Sequence, residues 1–240
     1  MRLLALLCLC LVHSTGQADG VQFKPFFGDQ TARYGHNVLG GNEYDGFGVK
    51  VVDGTNEPRF LGIVLPKHRV IEEIALRLVD VDGDPVPEVV VVESSASGGA
   101  ELAIYGGLPK KLEKVANTPP IGRRNRWLAP AGIADFDGDG QNDIAYVEKP
   151  HIGGDLYLWT MRDGQLVELA RTGGFSNHKI GEDFITGGVR DCGDGPEVVL
   201  PNFNWSKVMA VRFDGIAWQP REIADRTDAA TISAALACEN

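Results

Sequence analysis

The chain has 240 residues, of which 43% are hydrophobic and 23% charged, with a formal net charge of -10. Those fractions are globular and argue against a disordered or fibrous chain. The acidic balance argues against nucleic acid and anionic membranes as partners.

The first stretch, "MRLLALLCLCLVHSTGQA", carries Arg2, then an apolar run to Val12, then small and polar residues ending at Gly16 and Ala18. It reads as a secretory signal peptide over residues 1–18, because the apolar run is shorter than the roughly 20 residues that span a bilayer. Its removal takes away one positive charge, so -10 becomes -10 - 1 = -11. Cys8 and Cys10 leave with it, and "LCLC" lacks the small residues expected before a lipidated cysteine. The remaining pair, Cys192 and Cys238, is expected to oxidise in an exported protein. No later segment is apolar enough to span a membrane. Residues 19–32, with "VQFKPFFGDQTA", read as an N-terminal lead or as one further strand.

From residue 33 onward the chain repeats itself. "LRLVDVDGDPVPEVVVVES" from Leu76 matches "AGIADFDGDGQNDIAYVEK" from Ala131 and, more weakly, "GGVRDCGDGPEVVLPNF" from Gly187. The leading aspartates Asp80, Asp135 and Asp191 are spaced by 55 and 56 residues. Each copy reads as strand, tight Gly/Asp turn, strand. Alternating segments follow ("ELAIYGG", "DLYLWTMRDG", "KVMAVRFDG"), then a further strand-like piece ("KKLEKVA", "QLVELAR", "WQPREIA"). Four strands per unit is the pattern of a propeller blade. An upstream copy offers "YGHNVLG", "GFGVKVVDG" and "PRFLGIVLP" but lacks a first strand.

The expectation is therefore an all-β fold, a small β-propeller of four blades, with five as the alternative. Its units are residues 33–66, 67–120, 121–175 and 176–226 of a single domain over 33–240. A closing strand over 227–238, "DAATISAALAC", pairs with the N-terminal blade and leaves few open edges. The alanine content of this segment supports a terminal helix as the competing reading. Under the strand alignment Cys238 falls beside Cys192, and their bond would contribute roughly 4 kcal/mol by loop entropy.

The acidic turns invite a hard cation. In "DFDGDGQND", Asp135, Asp137, Asp139 and Asp143 can point inward while the seventh position offers a carbonyl. A donor set of oxygen alone favours calcium over zinc. An EF-hand would need a glutamate where Tyr146 stands, with helices on either side. Asp80, Asp82, Asp84 and Glu88 keep the spacing, whereas the loop with Asp191, Asp194 and Glu197 is shorter and is expected to hold metal weakly or not at all.

The motif DxDGDGxxD between strands, repeated in tandem, resembles the FG-GAP or VCBS repeats of integrin α-subunits and of small exported bacterial proteins. The resemblance implies a β-propeller braced by structural calcium, held by Asp135, Asp137, Asp139 and Asp143 and by Asp80, Asp82, Asp84 and Glu88. It is nearly silent on activity, because such scaffolds serve many functions.

No phosphate loop, HExxH pair or GxSxG elbow is present. Aligning the repeats places the pairs His68-Arg69, Asn125-Arg126 and His178-Lys179 at equivalent positions, with Trp127 adjacent, a ring of donors that could receive an anionic or sugar ligand near the axis or close the blade junctions by hydrogen bonding. A second set, Glu93, Glu148 and Asn202, ends the second strands and reads as surface charge. The expected function is an exported, periplasmic or secreted, calcium-stabilised module, monomeric and non-catalytic, that binds a protein or glycan. The alternatives are a propeller-based hydrolase or lyase using His68, His178 and Arg126, and a structural module of an envelope assembly.

Overall fold

A computed structural model describes residues 16–18, 20–55 and 57–239. The chain opens with β1 (Gly16–Ala18), β2 (Val21–Phe27), β3 (Glu43–Tyr44), β4 (Gly46–Val52) and β5 (Arg59–Val64). Next come β6 (Arg69–Glu72), β7 (Arg77–Val79), β8 (Glu88–Ser95), β9 (Gly99–Gly106) and β10 (Glu113–Asn117). Then follow β11 (Leu128–Ala134), β12 (Asp143–Glu148), β13 (Asp155–Arg162) and β14 (Gln165–Thr172). The chain ends with β15 (Gly188–Asp191), β16 (Pro196–Pro201), β17 (Val208–Phe213), β18 (Trp218–Ala224) and the helix α1 (Ala229–Leu236).

Among the described residues these strands form four antiparallel sheets, ordered β1-β2-β4-β5, β10-β9-β8-β6-β3, β11-β12-β13-β14 and β15-β16-β17-β18. In the second sheet the first-strand position is shared by β6, which pairs with the end of β8, and β7, which pairs with its start.

The β-branched runs that mark each repeat are strands buried on both faces, which is why they read as unbroken apolar stretches. In β8, Val89 and Val91 join a core with Phe23, Phe47 and Val49 of the first sheet. Val90 and Val92, on the opposite face, join Ile144, Tyr146 and Trp159 of the third. Ala145 and Val147 then meet Val198 and Leu200 of the fourth, and Val199 meets Ile232 and Ala235 of α1. The sheets therefore stack in chain order, and the helix covers the outer face of the last.

Three expectations are corrected. The C-terminal segment is a helix and not a strand of the N-terminal sheet. Asp228 caps it by accepting a hydrogen bond from Thr231 N, the alanines favour it, and the first sheet already takes its four strands from residues 16–64. The N-terminal lead is not a lead, since β2 pairs along its length with β4. "YGHNVLG" is not a strand. Gly35, Asn37, Gly40 and Gly41 have positive φ, which curls this segment into turns, and Val38 and Leu39 insert between the second and third sheets.

The signal reading lies outside the described residues as far as residue 15. Gly16–Ala18 are described and form the edge strand β1 against β2, so cleavage after Ala18 would leave that sheet with β2, β4 and β5. The expected disulfide is present between Cys192 and Cys238, with Cα atoms 5.8 Å apart. It ties the end of α1 to the turn between β15 and β16.

Candidate functional site: two acidic loops

The turn between β11 and β12 is wound around its own carboxylates. Asp135 accepts hydrogen bonds from Gly138 N (2.7 Å) and Gly140 N (3.0 Å), Asp137 from Asp139 N (3.1 Å), and Asp139 from Gln141 N (2.9 Å). Gly138 and Gly140 take φ of 79° and 93°, a region that costs a side-chain-bearing residue energy but not glycine. At the start of β12, Asp143 is fully buried and its Oδ2 accepts from Phe136 N (3.0 Å) and Asp137 N (3.3 Å).

The turn between β7 and β8 repeats this geometry. Asp80 accepts from Gly83 N (2.8 Å), Asp82 from Asp84 N (3.0 Å), Asp84 from Val86 N (2.6 Å) and Glu88 from Val81 N (3.1 Å). The two loops are joined, because Asn142 Nδ2 donates to the Asp80 carbonyl at 2.9 Å. Between them runs a groove of about 740 Å³ lined by Asp82, Asp84, Glu88, Asp139, Gln141 and Arg162, among others.

In each loop three carboxylates offer oxygens within 4.8 Å of one another: Asp80, Asp82 and Glu88 in one, Asp135, Asp137 and Asp143 in the other. Asp84 and Asp139 stand outside these triplets, turned to the backbone of the following residues. Uncompensated carboxylates at this separation repel, and burial makes this worse. Burial pushes Asp143 up to about 6, with the charge of Asp137 adding to it. Burial pushes Glu88 up to about 7, reinforced by Asp82, Asp84 and Asp80. Asp143 Oδ1 is buried without a hydrogen-bond partner. Thr160 lies close enough to hold the Asp143 carboxyl down a little, but its Oγ1 makes no full hydrogen bond either. A buried, charged, unpartnered acceptor beside two more carboxylates fits a hard cation with oxygen ligands.

The third turn shows what a filled position looks like. Glu197 stands at the start of β16 as Asp143 does at the start of β12, and it too is fully buried. It is met by Arg190 Nε at 2.7 Å and by Arg221 at 2.7 and 2.9 Å. Position 190 is equivalent to Ala134 and Val79, which cannot do this. Asp191 accepts from Gly193 N and Gly195 N, and no triplet of carboxylates forms there. A buried guanidinium meets the carboxylate here, whereas Asp143 and Glu88 have none, and the nearest cation to those loops, the exposed Arg162, reaches only Asp137 Oδ2 at 3.5 Å.

The FG-GAP-like repeat family matches residues 80–146, a span that begins at the first aspartate of one acidic loop and takes in all of the other. Over this span the chain is similar to an FG-GAP-like repeat. The matched repeat comprises both acidic turns and the strands β8 to β12 between and after them. Comparison with curated proteins gives no match.

The donor ring expected from repeat alignment assembles only in part. Asn125, Arg126 and Trp127 line one small cleft together with His36 and His151, and His178 is bonded to His151 at 2.9 Å. Trp127 is 2% exposed, so it cannot serve as a stacking platform. Arg69 is committed to Glu93 at 2.7 Å and to Glu101. Lys179 lies over the Trp205 ring at 4.2 Å, and His68 is exposed and is not among the residues lining the cleft. Glu93 is fully buried, held by Arg69, Lys114 and Tyr105, and is therefore not surface charge. Sequence reasoning passed over Glu72, Glu43 and His151. Glu43 anchors the 35–37 backbone by accepting three N–H groups.

Proposed function

We propose that the chain is an exported, propeller-like module braced by calcium, which binds a protein or glycan and performs no chemistry. Asp135, Asp137 and Asp143 would hold one ion, and Asp80, Asp82 and Glu88 the second. Bound there, calcium would supply the positive charge that lets these turns stay tightly wound. The observation that carries this reading is the buried Asp143 carboxyl, whose Oδ1 has no partner and which offers an oxygen within 4.8 Å of those of Asp135 and Asp137.

The four stacked sheets support a propeller-like arc of four blades, with α1 as its end cap in place of a closing strand. The disulfide supports export, since such bonds persist in oxidising compartments. Among the described residues, no helix is long and apolar enough to cross a membrane. The outer face of the first sheet supports a binding role. It exposes Phe26, Phe60 and Val64 beside Lys24 and Lys50, a combination suited to a protein surface that is both apolar and acidic. A hydrolase or lyase built on His68, His178 and Arg126 is disfavoured, because His68 stays outside the cleft that the other two approach.

Thermal unfolding with calcium and with excess chelator tests the reading, using the parent and a variant carrying Asp135→Ala and Asp137→Ala. The midpoint should fall on chelation by more in the parent than in the variant. Equal midpoints in the parent with and without calcium would overturn it.

A further inference from the structure

The cleft beside Trp127 holds two histidines whose protonation is dictated by their neighbours. His36 Nδ1 lies 2.7 Å from Glu72 Oε1. Glu72 is fully buried, with its other oxygen accepting from Ser94 Oγ at 2.5 Å. A carboxylate only accepts, so His36 carries its proton on Nδ1 and, when neutral, presents a bare Nε2.

The second histidine is fixed through a relay. His178 Nε2 lies 2.9 Å from the Glu182 carbonyl, which also only accepts. His178 Nδ1 and His151 Nε2 face each other at 2.9 Å, so only one proton can lie between them. Neutral His178 therefore bears its proton on Nε2 and accepts at Nδ1 from His151 Nε2, 2.9 Å away. His151 is left with a bare Nδ1.

Neither His36 Nε2 nor His151 Nδ1 makes a hydrogen bond among the described residues, and both rings line the same cleft. Its volume is about 20 Å³, room for a single ion or water. Two residues of its wall, Asn125 and Lys149, take left-handed φ of 57° and 53°. That conformation is costly for side-chain-bearing residues and persists where surrounding structure enforces it. Here Asn125 N donates to Tyr34 Oη (2.8 Å), and the Lys149 carbonyl accepts from Ile152, Gly153 and Gly154. Lys149 is paired with Glu148 at 2.8 Å, which leaves Arg126 as the guanidinium lining the cleft.

We propose that His36 Nε2 and His151 Nδ1 form a site for a divalent transition ion of the zinc class, distinct from the two hard-cation loops. Imidazole nitrogen suits zinc, copper or nickel and not calcium. Each ligand has the outer support that metal-binding histidines use, a carboxylate for His36 and a hydrogen-bond relay for His151. Two protein ligands leave coordination positions open, and Arg126 beside them favours an anionic co-ligand there.

The test is calorimetric titration of zinc chloride into the oxidised chain, with millimolar calcium present throughout to saturate the acidic loops. It is paired with NMR observation of the histidine ring protons. One equivalent of zinc should bind and shift the resonances of His36 and His151. His151→Ala and His36→Gln should each lose that binding, and Glu72→Gln should weaken it about 10- to 100-fold. A cooperative thermal transition in each variant, with or without calcium, shows that it is folded; His151→Ala, on a part-exposed residue, guards against loss of fold in the others. Absence of zinc binding by the parent, or binding unchanged in a folded His151→Ala, would overturn the proposal.

Discussion

Replacing Asp143 by Asn should change stability in opposite directions depending on calcium. Without calcium the fold must keep this carboxylate charged and buried at pH 7. Its pKa rises from 3.8 to about 6, roughly 2 units, or about 3 kcal/mol at ~1.36 kcal/mol per unit. Relaxation of the loop around the charge offsets part of this, so the expected penalty is about 1–2 kcal/mol. Its sign follows from the raised value: the penalty is absent below the unfolded pKa and grows as pH rises through about 6. Asn removes the charge and keeps an acceptor for Phe136 N, and its amide can donate to the unpartnered Thr160 Oγ1. In chelator at pH 7 the variant should therefore be more stable than the parent by about 1–2 kcal/mol. With calcium the order should reverse, because each ion at about 100 times its dissociation constant adds about 2.7 kcal/mol to the parent and the variant loses one site. Urea midpoints of both chains, with calcium and with chelator, measure the double difference. A variant less stable than the parent in chelator, or an equal calcium response in both chains, would refute the reasoning.

Arg190→Leu should cost about 3 kcal/mol, because it leaves Glu197 buried with only the more exposed Arg221 and Arg212 for company; denaturant unfolding should show this loss equally with calcium and chelator. Reducing the Cys192–Cys238 bond, whose partners are 46 residues apart, should cost up to about 4 kcal/mol. It should also speed amide exchange in α1 and at Val199, since a helix of this length is marginal alone. Gly154→Ala should cost about 3 kcal/mol or more: φ there is 68° and an added Cβ would sit 1.7 Å from the Phe175 carbonyl oxygen, a loss readable as a fallen melting midpoint. The double variant Phe26→Ser and Phe60→Ser should leave stability within about 1 kcal/mol while lowering the binding of an apolar fluorescent dye to the exposed face.

The features legible in the sequence are those that local chemistry fixes. The "EVVVV" and "DIAYV" runs announce strands buried on both faces, and "DFDGDGQND" announces its own turn through aspartates that bond the backbone two to five residues on. The disulfide followed from the two cysteines outside the leading segment. Three things were hidden for physical reasons. The turns at 35–41 depend on Asn37 as well as glycines adopting positive φ, and on Glu43 gathering their N–H groups, so the apolar pattern of "YGHNVLG" misleads. The terminal helix competes closely with a strand until the Asp228 cap and the packing of Ile232 and Ala235 on Val199 are seen. The cleft with His36, Glu72 and His151 joins residues from three separate segments, and Glu72 in "IEEIA" carries no local mark of its burial. The shorter loop at Asp191 was legible, but the contact of Arg190 with Glu197, at a position held elsewhere by Ala134 and Val79, shows only in three dimensions.

The most direct test of the central claim is the stoichiometry of calcium binding by the oxidised chain, measured by equilibrium dialysis at pH 7. The account predicts two equivalents for the parent, one each for Asp143→Ala and Glu88→Ala, and none when both substitutions are combined. A parent chain that binds no calcium at millimolar concentration, or a double variant that still binds two equivalents, would contradict it.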